Sequence, residues 1–130
     1  MEEETEISLE AFESALARLI DALDQVKTEW TRDAAIQRFE FTYELAWKSI
    51  ARFARREGIE CVSPLQAFRA ALRLRWIEDD DLWLGMRDDR NRTSHTYSES
   101  VAESIYERLP SYTAALTKLI ARLRPSTVEG

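Results

Sequence analysis

Arg38-Phe39-Glu40-Phe41-Thr42-Tyr43-Glu44-Leu45-Ala46-Trp47-Lys48 is the stretch whose reading decides the fold. Phe39, Phe41, Tyr43, Leu45 and Trp47 alternate with other residues, which is the period of a strand. The flanks decide otherwise. Nothing from Asp33 to Glu57 is Gly or Pro, and the span is far too long for one strand. Ile36, Phe39, Tyr43, Trp47, Ile50 and Ala54 share one face of a helix instead. Phe41 and Leu45 then lie about 140–180° away at about 100° per residue, on the opposite face. A helix that is aromatic on two sides asks for burial on two sides. In a chain of 130 residues, the second burial is expected against another copy of the chain. Glu44 and Lys48, one turn apart, can pair on the surface.

Working outward, each flank reads as further helix. Leu9, Phe12, Leu16, Leu19, Leu23 and Val26 recur by three and four, giving a first helix from about Ser8 to Thr28. Trp30 to Asp33 then form a turn, with Thr31 or Asp33 as N-cap of the second helix. On the other side, Gly58 closes the second helix where a left-handed cap is usual. Ser63-Pro64-Leu65-Gln66 opens a third: Ser as N-cap, Pro at the first position, Gln three residues on. It runs to about Arg75, with Leu65, Phe68, Ala71, Leu72 and Trp76 inward. Glu78-Asp79-Asp80-Asp81 opens a fourth, where acids suit the positive end of the helix dipole. Consecutive acids on a helix point in different directions, so no metal site is read there. Leu82, Trp83 and Met86 bury one side, and Arg90 lies near this helix's end. Ser98 or Ser100 starts a fifth helix carrying Val101, Ile105, Leu109, Tyr112, Leu116, Leu119 and Leu123. Pro110 is expected to kink it, or to end a first half at Leu109. The fold class is all-α: an up-and-down bundle of four or five helices, one domain over 1–130, with frayed ends at about 1–6 and 125–130.

Composition narrows the function classes. Charged residues make up 32% of the chain, with only three Gly and three Pro, as suits a helical bundle. No apolar run approaches the ~18 residues of a membrane span, and no apolar h-region marks a signal peptide. A cytoplasmic protein is expected. One cysteine, Cys61, and one histidine cannot make a zinc site, and no cofactor is expected. The net charge of −6 is unevenly spread. Residues 1–30 carry nine acids against two bases, a balance of −7; the rest carry sixteen bases against fifteen acids, a balance of +1. Between Lys48 and Arg75, seven bases face only Glu57 and Glu60. That local excess, including Arg69 and Arg73, is either a phosphate-tracking surface or the wet face of two helices.

The chemistry sits in a polar interruption, Arg90-Asn91-Arg92-Thr93-Ser94-His95-Thr96-Tyr97. It holds the single histidine, a permanent cation and a phenol within eight residues. Metal-free phosphodiester cleavage needs those parts: a proton carrier and a cation beside developing charge. RNA supplies its own nucleophile, the 2′-hydroxyl. His95 is the candidate base or acid, since imidazole ordinarily titrates near about 6.5. Arg90 is the candidate phosphate holder, with Arg92 beside it on the nucleic-acid path. Tyr97 would donate a hydrogen bond or orient the histidine. One histidine cannot be base and acid at once in a concerted step. A two-fold dimer with both His95 side chains in one cleft resolves this. A second reading makes the chain an interaction protein, the binding or acceptor subunit of a nucleotidyltransferase, with Tyr97 as the acceptor. A third makes it a purely structural helical dimer.

Arg90, four residues, His95, one residue and Tyr97 resemble the R-x4-H-x-Y signature of the HEPN superfamily. With Arg38 to Lys48, Ser63-Pro64, Asp89-Arg90-Asn91 and Ile105 to Pro110, the chain resembles more narrowly the nucleotidyltransferase substrate-binding (HepT-like) family, from about Ala34 to Leu123. The resemblance implies a HEPN-like helical homodimer encoded beside a nucleotidyltransferase (MNT-type) partner. It implies in several relatives a ribonuclease toxin, acting on RNA and silenced by nucleotidylation of the motif tyrosine, here Tyr97.

Overall fold

The computed structural model describes residues 2–124, and these form five helices with no strand among them. The expected frayed tail at 125–130 lies outside the described residues, as does Met1. The first helix, α1, spans Glu2–Leu23 and begins earlier than its apolar stripe. Residues 2–6, expected to be a frayed end, are drawn as its first turns. The next turn is anchored by buried contacts: Ser8 Oγ meets Ser49 Oγ at 2.8 Å, and Arg52 Nη1 donates to Ser8 Oγ at 3.0 Å. At its other end α1 stops at Leu23, and Val26, counted with the core stripe, is 85% exposed.

The second helix, α2, spans Glu29–Arg56. Its N-cap is Thr28, not Thr31 or Asp33. Thr31 N–H donates to Thr28 Oγ1 at 3.0 Å, and Thr28 N–H donates to Thr31 Oγ1 at 2.7 Å, a reciprocal capping box. Trp30 to Asp33 are thus the first turn of α2. The helix closes as the glycine foretold: Gly58 takes φ +82°, while its N–H donates to Arg55 O and that of Ile59 to Ala54 O. A Cβ there would meet nothing within 4 Å, so the backbone conformation alone favours glycine.

The third helix, α3, spans Pro64–Arg73 with Ser63 as its cap; the fourth, α4, spans Asp80–Arg92 with Asp79 as its cap. A 3-10 turn follows at Thr93–His95, and α5 spans Glu99–Leu123, capped by Ser98. Pro110 does not end α5. It removes one N–H donor, while the buried stripe of Leu109, Tyr112, Leu116, Leu119 and Leu123 holds both halves on the core.

Ion pairs set the directions. Lys27 reaches Glu103 and Arg124 pairs with Glu13, so α1 and α5 are antiparallel. Arg32 at the start of α2 grips Glu99 and Glu103 at the start of α5, so those two run alike, with α3 and α4 as the return between them. Helix α2 touches all the others. Its inward face carries a run of touching rings: Tyr112 stacks on Phe39 (5.5 Å), Phe39 meets Tyr43 (6.2 Å), Tyr43 meets Phe68 edge-on (5.8 Å), and Phe68 meets Trp83 (5.1 Å). Four helices are joined by that one chain of aromatics. No helix among the described residues is long and apolar enough to cross a membrane.

Candidate active site

The polar stretch is more ordered than a loop. Thr93 is buried and its Oγ1 donates to Arg90 O at 2.7 Å, closing the end of α4. Thr96 Oγ1 donates back to Thr93 O, and Ser98 N–H donates to His95 O at 3.1 Å. Ser98 Oγ then accepts from Val101 N–H, starting α5. Each Ser and Thr hydroxyl in the run thus serves a backbone group, which is why a polar sequence keeps one shape.

Three candidate side chains leave this turn. His95 is exposed, and its Nδ1 lies 3.2 Å from Tyr97 Oη, with the rings edge to face at 5.8 Å. Tyr97 is 83% exposed, so its phenol is open to solvent. Arg90 turns inward, toward α2. Its Nη1 donates to Thr93 Oγ1 at 3.2 Å and lies 3.5 Å from Glu40 Oε2, while Nε lies 3.8 Å from Glu44 Oε2. Nε is itself buried with no hydrogen-bond partner. The two carboxylates hold the guanidinium by charge rather than by aligned hydrogen bonds, and the buried Nε keeps an unused donor. Beneath them the Tyr43 phenol is pushed up to about 12 by burial, although Arg87 and Arg90 oppose the rise.

Asp89 and Arg108, which the sequence did not single out for the site, lie beside it. Asp89, 1% exposed, accepts from Arg108 Nε (2.7 Å, Oδ2), Arg108 Nη2 (2.7 Å, Oδ1) and Tyr112 Oη (2.5 Å, Oδ2). Burial, then the hydrogen bond to Asp89, raise the Tyr112 phenol well above its ordinary value. A signal existed: Trp83, Met86 and Asp89 succeed one another by three on the buried stripe of α4, with an acid where a core residue belongs.

Among the cations expected on a nucleic-acid path, Arg92 lies beside the site. Its Nη2 donates to Ser104 Oγ at 2.8 Å and sits 3.7 Å from Asp89 Oδ1. Arg69 and Arg73 are exposed on α3, and the 3-10 turn touches α2, α4 and α5 but not α3. The structure does not gather them with Arg90. Elsewhere in that basic row, Arg52 faces Glu4, Arg55 faces Glu60 and Arg56 lies over Phe53, as in a solvated helix surface.

The outer face of α2 adjoins the site. Phe41 is 57% exposed and Trp30 86% exposed, eleven residues earlier on the same stripe. Between α1 and α2, a shallow groove of about 490 Å³ is lined by Ala11, Ala15, Ala34, Phe41 and Leu45 among others. Of the predicted second apolar face, Leu45 is half-buried against the core, while Phe41 stays exposed and is covered by nothing among the described residues. Among the described residues, no group of three His, Cys, Asp or Glu is placed to hold a metal ion.

Comparison with known proteins shows a family and a fold. The family model described as "Nucleotidyltransferase substrate binding protein like" matches residues 7–125. The "Probable ribonuclease HepT" of Haemophilus influenzae is 35% identical over 96 residues, which covers 69% of this chain. The chain spans 65% of the length of that curated relative. A crystal structure of a Thermus thermophilus protein superposes with a TM-score of 0.83 at 41% identity, over 88% of this chain and 99% of the other. A Haemophilus influenzae protein, described as revealing the fold of a substrate-binding domain of a nucleotidyltransferase, superposes with a TM-score of 0.70. It is 27% identical, over 95% of this chain and 98% of that one.

Proposed function

This chain belongs to the nucleotidyltransferase substrate-binding protein-like (HepT-like) family, and we propose that it is a metal-independent endoribonuclease. In this reading it is the toxin of a HEPN/MNT-type toxin–antitoxin pair in the cytoplasm. A partner nucleotidyltransferase silences it by modifying Tyr97. The observation that carries the proposal is the contact between His95 Nδ1 and Tyr97 Oη, 3.2 Å, on exposed side chains of the turn that begins three residues after Arg90.

With Nδ1 occupied by the phenol, Nε2 is the ring nitrogen left for substrate. The RNA 2′-oxygen attacks phosphorus while one His95 takes its proton. The bond from phosphorus to the 5′-oxygen breaks, and that oxygen takes a proton from the second His95. The product is a 2′,3′-cyclic phosphate and a free 5′-hydroxyl. Arg90 faces the charge that gathers on the phosphoryl oxygens. The second histidine comes from a homodimer, and the uncovered stripe of Trp30 and Phe41, next to Glu40 and Glu44, supports such a pairing.

Silencing has a simple chemistry. The Tyr97 oxygen attacks the α-phosphorus of a nucleoside triphosphate, pyrophosphate leaves, and the phenolic proton is lost to solvent. A phosphodiester then stands where His95 had a hydroxyl partner, and its negative charge competes for Arg90. A non-catalytic substrate-binding subunit is the alternative, favoured by the way Glu40 and Glu44 hold Arg90. The test is incubation of the chain with RNA in EDTA. Fragments ending in 2′,3′-cyclic phosphate, absent with His95→Ala, support the ribonuclease; no cleavage of any RNA leaves the binding subunit.

A further inference from the structure

We propose that Asp89 is the positioning residue of this site, fixing the rotation of the last turn of α4 so that Arg90 and Arg92 face their work. Asp89 precedes Arg90 directly, and both its carboxylate oxygens are taken up by α5. Arg108 grips them as a planar fork with two bonds of 2.7 Å, and the Tyr112 hydroxyl adds a third of 2.5 Å. A single hydrogen bond lets a helix end roll about it, whereas a fork and a third donor set its angle.

The same network reaches beyond Asp89. Arg108 Nη2 also donates to Ser104 Oγ at 2.9 Å, and Ser104 Oγ accepts from Arg92 at 2.8 Å. Ser104, Arg108 and Tyr112 recur every four residues, a single stripe of α5 laid along α4. Tyr112 in turn stacks on Phe39, so the stripe is referenced to α2, where Glu40 meets Arg90. The two arginines of the motif are therefore held from both sides. Arg90 is steered by the backbone that Asp89 fixes, and Arg92 by the serine that the same fork holds.

The activity arm of the test rests on the ribonuclease reading; a second arm does not. Asp89→Asn removes the charge and one acceptor with little change of shape. Arg108→Lys keeps the charge of a half-exposed side chain but loses the fork, and it stands in if the first variant fails to fold. Each is expected to lower kcat for RNA cleavage about 10- to 100-fold with little change in KM, because misplacing a catalytic group acts on the chemical step. The double variant should lose no more than the worse single one, as for two residues acting through one contact. In hydrogen exchange, amides 90–97 should exchange about tenfold faster in either variant while α1 and α2 keep their protection. Uniformly faster exchange, or unchanged exchange at 90–97, would overturn the positioning role. So would additive losses in the double variant. If the parent cleaves no RNA, the ribonuclease reading fails and the exchange arm alone decides Asp89.

Discussion

Arg32 and Glu99 form a two-pronged pair, Nη1 to Oε2 at 2.8 Å and Nη2 to Oε1 at 3.2 Å, across the starts of α2 and α5. Arg32 is 4% exposed, and its Nη1 also donates to Glu103 at 3.1 Å. The pair fixes where α5 begins, two residues after Tyr97.

Acid should loosen that clamp. The hydrogen bond from Arg32 lowers the Glu99 carboxyl, and those from Lys27 and Arg32 lower that of Glu103. A carboxyl lowered by folding adds stability above its unfolded value, and that stability is lost as pH falls through the folded value. The melting temperature should therefore fall more steeply below about pH 4.5 in the parent than in Glu99→Gln/Glu103→Gln. Equal slopes in pH-dependent melting would deny the clamp its part. The effect should be modest, since both glutamates face solvent and are screened.

Arg75 offers a gain. It adopts φ +64° at the end of α3, with its N–H on Leu72 O and that of Trp76 on Ala71 O, the place where glycine usually sits. The contact it makes through its carbonyl, to Arg122 Nη1 at 2.9 Å, survives substitution. Arg75→Gly is expected to raise stability by roughly 1 kcal/mol in urea unfolding, as strain on Cβ is relieved. A loss of stability would show that the side chain matters more than the backbone.

The motif residues should separate by role. His95→Ala should abolish RNA cleavage, because a methyl group carries no proton. Arg90→Lys should recover only part of the activity that Arg90→Ala loses, since an ammonium keeps charge without the fork. Tyr97→Phe should keep some cleavage yet resist silencing by the partner nucleotidyltransferase with Mg-ATP. Mass spectrometry should then find added adenylyl mass on the parent and none on this variant. Modification at another residue would move the control site.

The outer stripe of α2 should decide assembly. Phe41→Asp sets a charge at the centre of the apolar face, which a two-fold axis would bring twice into one interface. Light scattering should find the parent a dimer at micromolar concentration, and the variant's dissociation constant should rise about a hundredfold, as for a lost central anchor. A parent that is monomeric would remove the composite site.

Much of this was legible from patterns of short range. The helical reading of Arg38 to Lys48 held because the absence of Gly and Pro over so long a span outweighed the alternation of aromatics. Ser63-Pro64 and Gly58 marked their boundaries correctly, since a cap is chemistry between residues three or four apart. The first boundary failed where two threonines competed. Thr28 and Thr31 bond to each other, so the cap lies at the earlier one and Trp30 to Asp33 join the helix. With that shift, Arg32 falls one turn before Ile36 on the inward face, a position invisible while it was read as turn.

The sequence by itself determined the helices, their inward faces and the order Arg90, His95, Tyr97, because each rests on spacing along one chain. It determined also that α2 has a second apolar side, which periodicity alone reveals. Only the tertiary structure decided which carboxylate each cation pairs with. An arginine looks the same in sequence whether it binds a phosphate or a carboxylate. Arg52 faces Glu4, Arg90 faces Glu40, and Arg108 faces Asp89 across 48, 50 and 19 residues of chain. Such partners are chosen by how helices pack and in which direction they run, and a linear pattern carries neither.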